Sequence, residues 1–103
     1  MLTVIAEILC HSEDDFKTVL ASFKTIRPLV LREAGCHGYD VHIDAAVPES
    51  AMPTKVPYSI VMYEKWETAQ DLERHMQSAN MQAHQQAALG AVSKVLVRIL
   101  EQV

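Results

Sequence analysis

The sequence predicts an α+β protein of the ferredoxin-like type, in which helices cover one face of an antiparallel sheet. Hydrophobic patterning gives the order strand, helix, strand, strand, helix, strand, which is the order of that fold. The chain has 103 residues, 50% of them hydrophobic, so residues 1–103 are expected to form one domain with its own core. The final segment is almost continuously apolar, and something must therefore cover it.

The chain begins with a predicted strand and helix. Residues 2–10 are rich in β-branched and apolar side chains and suit a strand that is buried on both faces. Ser12 supplies a cap for the helix that follows, whose apolar residues recur at three- and four-residue spacing. Pro28 is expected to kink this helix without ending it.

A second strand and a long loop follow. Gly35 is the expected C-cap of the first helix. Residues 36–44 alternate as a strand, with His37 and Tyr39 on one face. Residues 45–57 contain three prolines among small and polar side chains, which predicts a loop.

The second half of the chain repeats the pattern. Residues 58–66 predict a third strand, followed by a capped helical stretch in which Ser78 and Asn80 indicate a break. Gly90 ends that stretch. Residues 92–103 predict a last strand that is too apolar to be an edge facing water.

Charge and composition exclude several classes of partner. The net charge is -4, and no basic cluster is present that would hold a nucleic-acid backbone or an anionic membrane surface. The N-terminal segment lacks the features of an export signal or a membrane span, so a cytoplasmic protein with two free thiols is expected.

Three short motifs resemble those of one known family. They are the segment REAGCHGY at residues 32–39, the Glu-Lys-Trp that ends at Trp66, and His75. Together with the element order, they resemble the antibiotic biosynthesis monooxygenase (ABM) domain family, and the resemblance covers nearly the whole chain. These are small dimeric proteins, some of which oxidise quinol-like aromatics without a metal or flavin.

The resemblance implies an assembly as well as a fold. Two subunits of such proteins press their open sheet faces together into a dimeric α+β barrel, and the last strand reaches across. The apolar last strand read from the residues alone agrees with this arrangement, so a symmetric homodimer is expected.

The resemblance also implies roles for individual residues. His75 matches the histidine that lines the pocket, where an imidazole can take a proton from a phenolic hydroxyl near neutral pH. Trp66 is expected to stack against an aromatic substrate and Tyr39 to contact it, with core packing as the alternative for both; Tyr63 is a similar case. A half-exposed histidine bonded to water is the alternative for His75.

Two charged residues are the remaining candidates. Glu7 is a carboxylate within an apolar strand, which needs a partner or an elevated pKa if it points under the helices. We expect Glu7 to assist catalysis and Arg27 to orient the substrate. The alternative is a surface ion pair of Glu7 with Arg27 or Lys94.

Metal and haem chemistry receive little support. Haem-degrading relatives carry Asn and Trp where this chain has Glu7 and His75, and only His84 matches their iron ligand. His75 and His84 are nine residues apart and converge only if the chain bends between them. The alternating Asp40, His42 and Asp44 are expected to be a solvated face, so no metal or bound cofactor is predicted, and His84 is taken as a substrate-binding residue.

These features predict a cofactor-independent monooxygenase that oxidises a small quinol or polyphenol with dioxygen. One alternative is an isomerase of a small phosphorylated sugar, which requires Arg27, Arg32 and Arg74 to converge on a phosphate. The other is a non-catalytic dimeric module that binds a small aromatic.

Overall fold

A computed structural model describes residues 1–103 and contains one four-stranded antiparallel sheet with helices on one face. The predicted ferredoxin-like fold is confirmed. The strand order is β2-β3-β1-β4, so β2 and β4 are the edges. The elements are β1 (Leu2–Cys10), α1 (Glu13–Val30), β2 (Cys36–His42), a 3-10 turn (Glu49–Ala51), β3 (Ser59–Trp66), α2 (Ala69–Met76), α3 (Ala79–Ala87) and β4 (Val92–Glu101).

The core lies between the sheet and the helices. In β1 only alternate side chains are buried, and these are Val4, Ala6, Ile8 and Cys10. The intervening side chains are partly exposed because no helix covers that face. Within one chain β1 is therefore buried on its helix-facing side alone, and the predicted burial of its other face requires a partner.

The first helix starts as predicted and ends differently. The Ser12 hydroxyl accepts a hydrogen bond from the backbone N–H of Asp15, which caps the helix. The helix continues through Pro28 to Val30, and Leu31 is its C-cap. Gly35 is therefore not the C-cap, which corrects the prediction.

Gly35 instead forms the turn into β2. Its φ of +77° is a left-handed conformation that favours glycine. A Cβ placed at Gly35 would collide with the carboxylate of Asp71, so the turn packs directly onto the start of α2.

The second strand is irregular at its start. The pairing register with β3 shifts between Cys36 and Gly38, and His37 is exposed while Tyr39 is buried. This irregularity separates two side chains that simple alternation places on one face. The strand ends at His42, two residues earlier than predicted.

The break in the second helical region is confirmed. The hydroxyl of Ser78 accepts a hydrogen bond from the backbone N–H of Met81 and caps α3, so α2 and α3 are separate helices. None of the three α-helices combines the length and the apolar character that a membrane span requires.

The last strand is an edge strand with apolar side chains on both faces. Four of them are between 43% and 56% exposed: Val95, Leu96, Val97 and Ile99. The three odd-numbered residues face the helix side, at the margin that the helices do not reach. Leu96 faces the open side of the sheet, where it pairs in register with Glu7.

Candidate functional site

A cavity of about 590 Å³ lies between the helix-facing side of the sheet and helices α2 and α3. Of its 20 lining residues, 15 are hydrophobic, so water inside it would find few partners. A cavity of this size suits a small organic ligand. The polar side chains that line it are Glu64, His75, His84 and Gln85, together with the hydroxyl-bearing Tyr39.

His75 lies near the end of α2 and is only 2% exposed. Its Nδ1 lies 2.9 Å from Oε1 of Glu33, a residue of the turn that follows α1. The other carboxylate oxygen of Glu33 accepts a hydrogen bond from the Asn80 side chain at 2.8 Å. Glu33 thus accepts from two donors, which places the imidazole proton of His75 on Nδ1.

The second ring nitrogen of His75 opens on the cavity. Nε2 makes no hydrogen bond to protein, and the structure contains no enclosed polar side-chain atom without a partner. Burial lowers the pKa of His75, and the hydrogen bond and charge of Glu33 oppose that effect only in part. The ring is therefore neutral at pH 7, with Nε2 available to accept a proton.

His84 enters the same cavity from α3. Its Nδ1 lies 2.8 Å from the Ser22 hydroxyl of α1, and its ring packs 4.0 Å from the ring of Phe23. Burial and the nearby His75 both lower the pKa of His84. The break at Ser78 reorients the chain between the two helices, which explains how both histidines reach one cavity.

Trp66 lies behind His75. The two rings are 4.6 Å apart with an interplanar angle of 31°, and Trp66 is fully buried and does not line the cavity. His75 therefore lies where a substrate stacked on the Trp66 ring was expected. The indole N–H of Trp66 donates to Oε1 of Glu64 at 2.9 Å.

Tyr39 lines the cavity from β2. Its ring meets His75 edge-on at 5.4 Å, and its hydroxyl donates weakly to the sulfur of Met81. Burial raises the pKa of Tyr39 well above its ordinary value, and the charge of Glu64 adds to the effect. Tyr39 is therefore a neutral wall with a hydroxyl, not an ionisable group.

Three predicted site residues lie elsewhere. Glu7 points to the open side of the sheet, where its carboxylate accepts from the Ser59 hydroxyl at 2.8 Å. Tyr63 lies on the same open side and is 38% exposed. Neither residue lines the cavity, because alternation along β1 and β3 directs both side chains away from the helices.

Arg27 also lies outside the cavity. Its guanidinium donates to the backbone carbonyl of Tyr39 at 2.8 Å and pairs with Asp40 at 2.9 Å. It therefore joins α1 to β2, and the structure does not place it at the cavity where it was expected to orient the substrate. No group of three or more His, Cys, Asp or Glu residues is arranged to hold a metal ion.

Sequence reasoning missed two carboxylates of this site. Glu33 is 42 residues from His75 in the chain, and no local pattern joins them. Glu64 was visible within the Glu-Lys-Trp motif. Side chains alternate between the two faces of a strand, so Glu64 and Trp66, two residues apart, face the same side of the sheet. A buried Trp66 therefore indicates a buried Glu64.

The fold and the site together define a class of protein. It is a small ferredoxin-like protein with an apolar cavity, into which a carboxylate-paired histidine presents a free ring nitrogen. A family model described as antibiotic biosynthesis monooxygenase matches residues 1–87. The chain therefore belongs to the antibiotic biosynthesis monooxygenase family.

Known proteins resemble the chain along its length. The chain is 43% identical over 102 residues to "Probable quinol monooxygenase YgiN" of Escherichia coli strain K12, covering 98% of this chain and 97% of the relative. PA3566 of Pseudomonas aeruginosa superposes with a TM-score of 0.81 at 22% identity, covering 99% of this chain and 93% of that one. Rv0793 of Mycobacterium tuberculosis gives 0.79 at 18% identity, with 99% and 94% covered. These two structures are evidence for the fold alone.

Proposed function

We propose that the protein is a monooxygenase that oxidises a small quinol or polyphenol with dioxygen and needs no bound cofactor. The observation that carries this proposal is the pair of Glu33 and His75, whose free Nε2 opens on an apolar cavity. The relative named as a probable quinol monooxygenase supports the same substrate class.

The first step is removal of a phenolic proton. His75 accepts it on Nε2, and the imidazolium that forms is stabilised by the Glu33 carboxylate on the other side of the ring. A positioned base of this kind contributes roughly 10²–10⁴-fold to a proton transfer. The resulting quinol anion is electron-rich and transfers an electron directly to dioxygen.

The cavity wall contributes by excluding water. Apolar residues from the sheet and from α2 and α3 leave the quinol anion few hydrogen-bond donors. Its negative charge is therefore poorly stabilised in the cavity, which favours transfer of an electron to dioxygen. The net reaction joins one quinol and one dioxygen to give one hydroxyquinone and one water.

A symmetric homodimer belongs to the same proposal. Leu96 is half-exposed on the open face of the sheet, and Val97 and Ile99 are half-exposed where the cavity meets the edge strand β4. A second copy packed on the open face would remove Leu96 from water, and the last strand of that copy, reaching past β4, would cover Val97 and Ile99. It would also close the margin of the cavity that the helices leave uncovered.

The alternatives receive less support from the contacts. A phosphosugar isomerase needs cations at the cavity, yet Arg27 is paired with Asp40, Arg74 is paired with Asp71, and neither these nor Arg32 lines the cavity. A binding module without turnover remains the rival that an activity assay must exclude.

Oxygen uptake with reduced naphthoquinols, measured on metal-stripped protein against a blank without protein, tests the proposal. Uptake above the blank that falls at least about 100-fold in His75→Ala is expected from the loss of a positioned base. His42→Ala is the matched control, since His42 is exposed and outside the cavity. Binding of quinol without uptake would instead identify a binding module.

A further inference from the structure

The Glu64 carboxyl is buried in a wall that is otherwise almost free of charge. It is 6% exposed and is the only acidic side chain that lines the cavity. Its Oε1 accepts from the Trp66 indole N–H at 2.9 Å. Its Oε2 has no hydrogen-bond partner in the protein and is not enclosed, so this oxygen faces the cavity.

This position is unfavourable for stability. Removing a carboxylate from water into an apolar wall raises its free energy, and one hydrogen bond from an indole offsets only part of the cost. A glutamine would accept the same hydrogen bond without that cost. The acid at this position therefore points to a function.

Each element packed around Glu64 contributes to its environment. Tyr39 on β2, His75 on α2 and His84 on α3 bring polar groups to the same cavity. The side chains that line it from α1, β1 and β4 carry no charge, and Glu33 lies behind His75. Burial, reinforced by the charge of Glu33, raises the pKa of Glu64 to about 7. The group therefore exchanges a proton near neutral pH.

We propose that Glu64 is a second catalytic residue of this cavity, which donates a proton to the departing oxygen when a ring hydroperoxide breaks down. The inference rests on the proposed function and adds a step to it. Glu64 from β3 and His75 from α2 both contact Trp66 and both line the cavity, so one bound substrate can meet the two groups.

The step is balanced in atoms and electrons. After electron transfer, superoxide joins a ring carbon that carries one hydrogen, and His75 returns its proton to the distal peroxide oxygen. His75 then takes the carbon-bound proton, the O–O bond breaks, and the ring carbon becomes a carbonyl. The departing hydroxide takes the Glu64 proton and leaves as water. Proton return from His75 to Glu64 restores both groups.

This assignment separates the two roles by their products. Loss of His75 prevents formation of the reactive anion, so oxygen uptake stops. Loss of the Glu64 proton leaves the anion and its reaction with oxygen intact. The hydroperoxide then loses peroxide instead of water, and quinone and hydrogen peroxide replace hydroxyquinone.

Glu64→Gln is the test, because it keeps an oxygen for the Trp66 N–H and removes the transferable proton. With 1,4-naphthoquinol, wild-type protein is expected to give one hydroxyquinone per oxygen consumed. In the variant we expect hydroxyquinone per oxygen to fall at least about tenfold, with hydrogen peroxide accounting for the difference. Glu64→Asp, which retains an acid on a shorter side chain, is expected to restore part of the yield.

The possible failures are distinguishable. If wild-type protein gives hydroxyquinone and Glu64→Gln gives the same yield per oxygen, the role of Glu64 is refuted and the proposed function stands. If the wild type consumes no oxygen, the proposed function fails, and the role of Glu64 fails with it. Far-ultraviolet circular dichroism of each variant verifies that the fold is retained.

Discussion

The contact between Glu33 and His75 yields a quantitative prediction through the variant Glu33→Gln. The carboxylate accepts from His75 on one oxygen and from Asn80 on the other. Glutamine has one acceptor oxygen only. It must either give up the hydrogen bond from Asn80 or turn its N–H₂ toward His75, which would move the imidazole proton to Nε2.

The size of the effect follows from the hydrogen bond that is lost. A hydrogen bond to a charged partner contributes about 1.5–3 kcal/mol and a neutral one about 0.5–1.5 kcal/mol. Replacing the carboxylate that His75 contacts by an amide therefore costs about 1–1.5 kcal/mol of stabilisation. If His75 gains its proton in the slow step, kcat/KM falls about 5- to 13-fold. Because burial then acts without the opposing charge of Glu33, the pKa of His75 falls further.

Initial rates of oxygen uptake, measured over a range of quinol concentrations and pH, are the assay. Glu67→Gln is the matched control, since Glu67 contacts the exposed His37 outside the cavity, and its effect is expected to be small. The double variant E33Q/N80D gives the new amide a partner for its N–H₂ and is expected to recover part of the rate. An unchanged kcat/KM in Glu33→Gln would refute the paired-base reasoning.

Three further predictions concern stability and assembly. The pKa of Glu64 is raised from the ordinary 4.5 to about 7 in the folded state. The stability that Glu64 contributes is therefore fully present below pH 4.5 and is lost as pH rises through 7, a loss of about 3 kcal/mol in the free energy of unfolding. Glu64→Gln should therefore become more stable relative to wild type between pH 5 and 8 in urea unfolding. Gly35→Ala should lower the free energy of unfolding by about 1–3 kcal/mol, because its Cβ would collide with Asp71. Leu96→Glu should shift the protein from dimer to monomer in light scattering, because it places a charge in the proposed interface.

Matched variants control these measurements. Gly38→Ala places a Cβ 3.7 Å from its nearest neighbour and should cost much less than Gly35→Ala. Met52→Glu adds the same charge as Leu96→Glu at a loop position that is 85% exposed, and should leave the assembly unchanged. Burial lowers the pKa of His75 and of His84, so these two residues make the fold more stable as pH rises, opposite to Glu64. Both histidines are present in wild type and in Glu64→Gln, so the difference between the two proteins reports the carboxyl alone. Equal pH dependence in the two proteins would contradict a buried Glu64.

The fold was readable from the sequence because its signals are local. Ser12 and Ser78 each cap a helix through a hydrogen bond three residues away, and hydrophobic spacing assigns each segment its period. Gly35 was misassigned because a local signal alone cannot distinguish its two possible roles. A positive φ suits both a helix end and a turn, and only the tertiary contact with Asp71 identifies which one is present.

The site was less readable because its contacts are distant in the chain. His75 was identified through a resemblance, while its partner Glu33 lies in a turn that has no sequence signature. Glu7 was misplaced because both faces of β1 carry apolar side chains, so the pattern does not say which face the helices cover. Trp66 was assigned to the cavity wall, and only the packing of His75 over its ring excludes that position.

The measurement that tests the proposed chemistry most directly is the fate of isotope-labelled dioxygen. Metal-stripped protein would react with 1,4-naphthoquinol under ¹⁸O₂, and the product would be analysed by mass spectrometry, with His75→Ala and a blank without protein measured in parallel. We predict a hydroxyquinone that carries one ¹⁸O atom and that is absent with His75→Ala. Unlabelled quinone accompanied by hydrogen peroxide, or label incorporation that is independent of His75, would contradict the account.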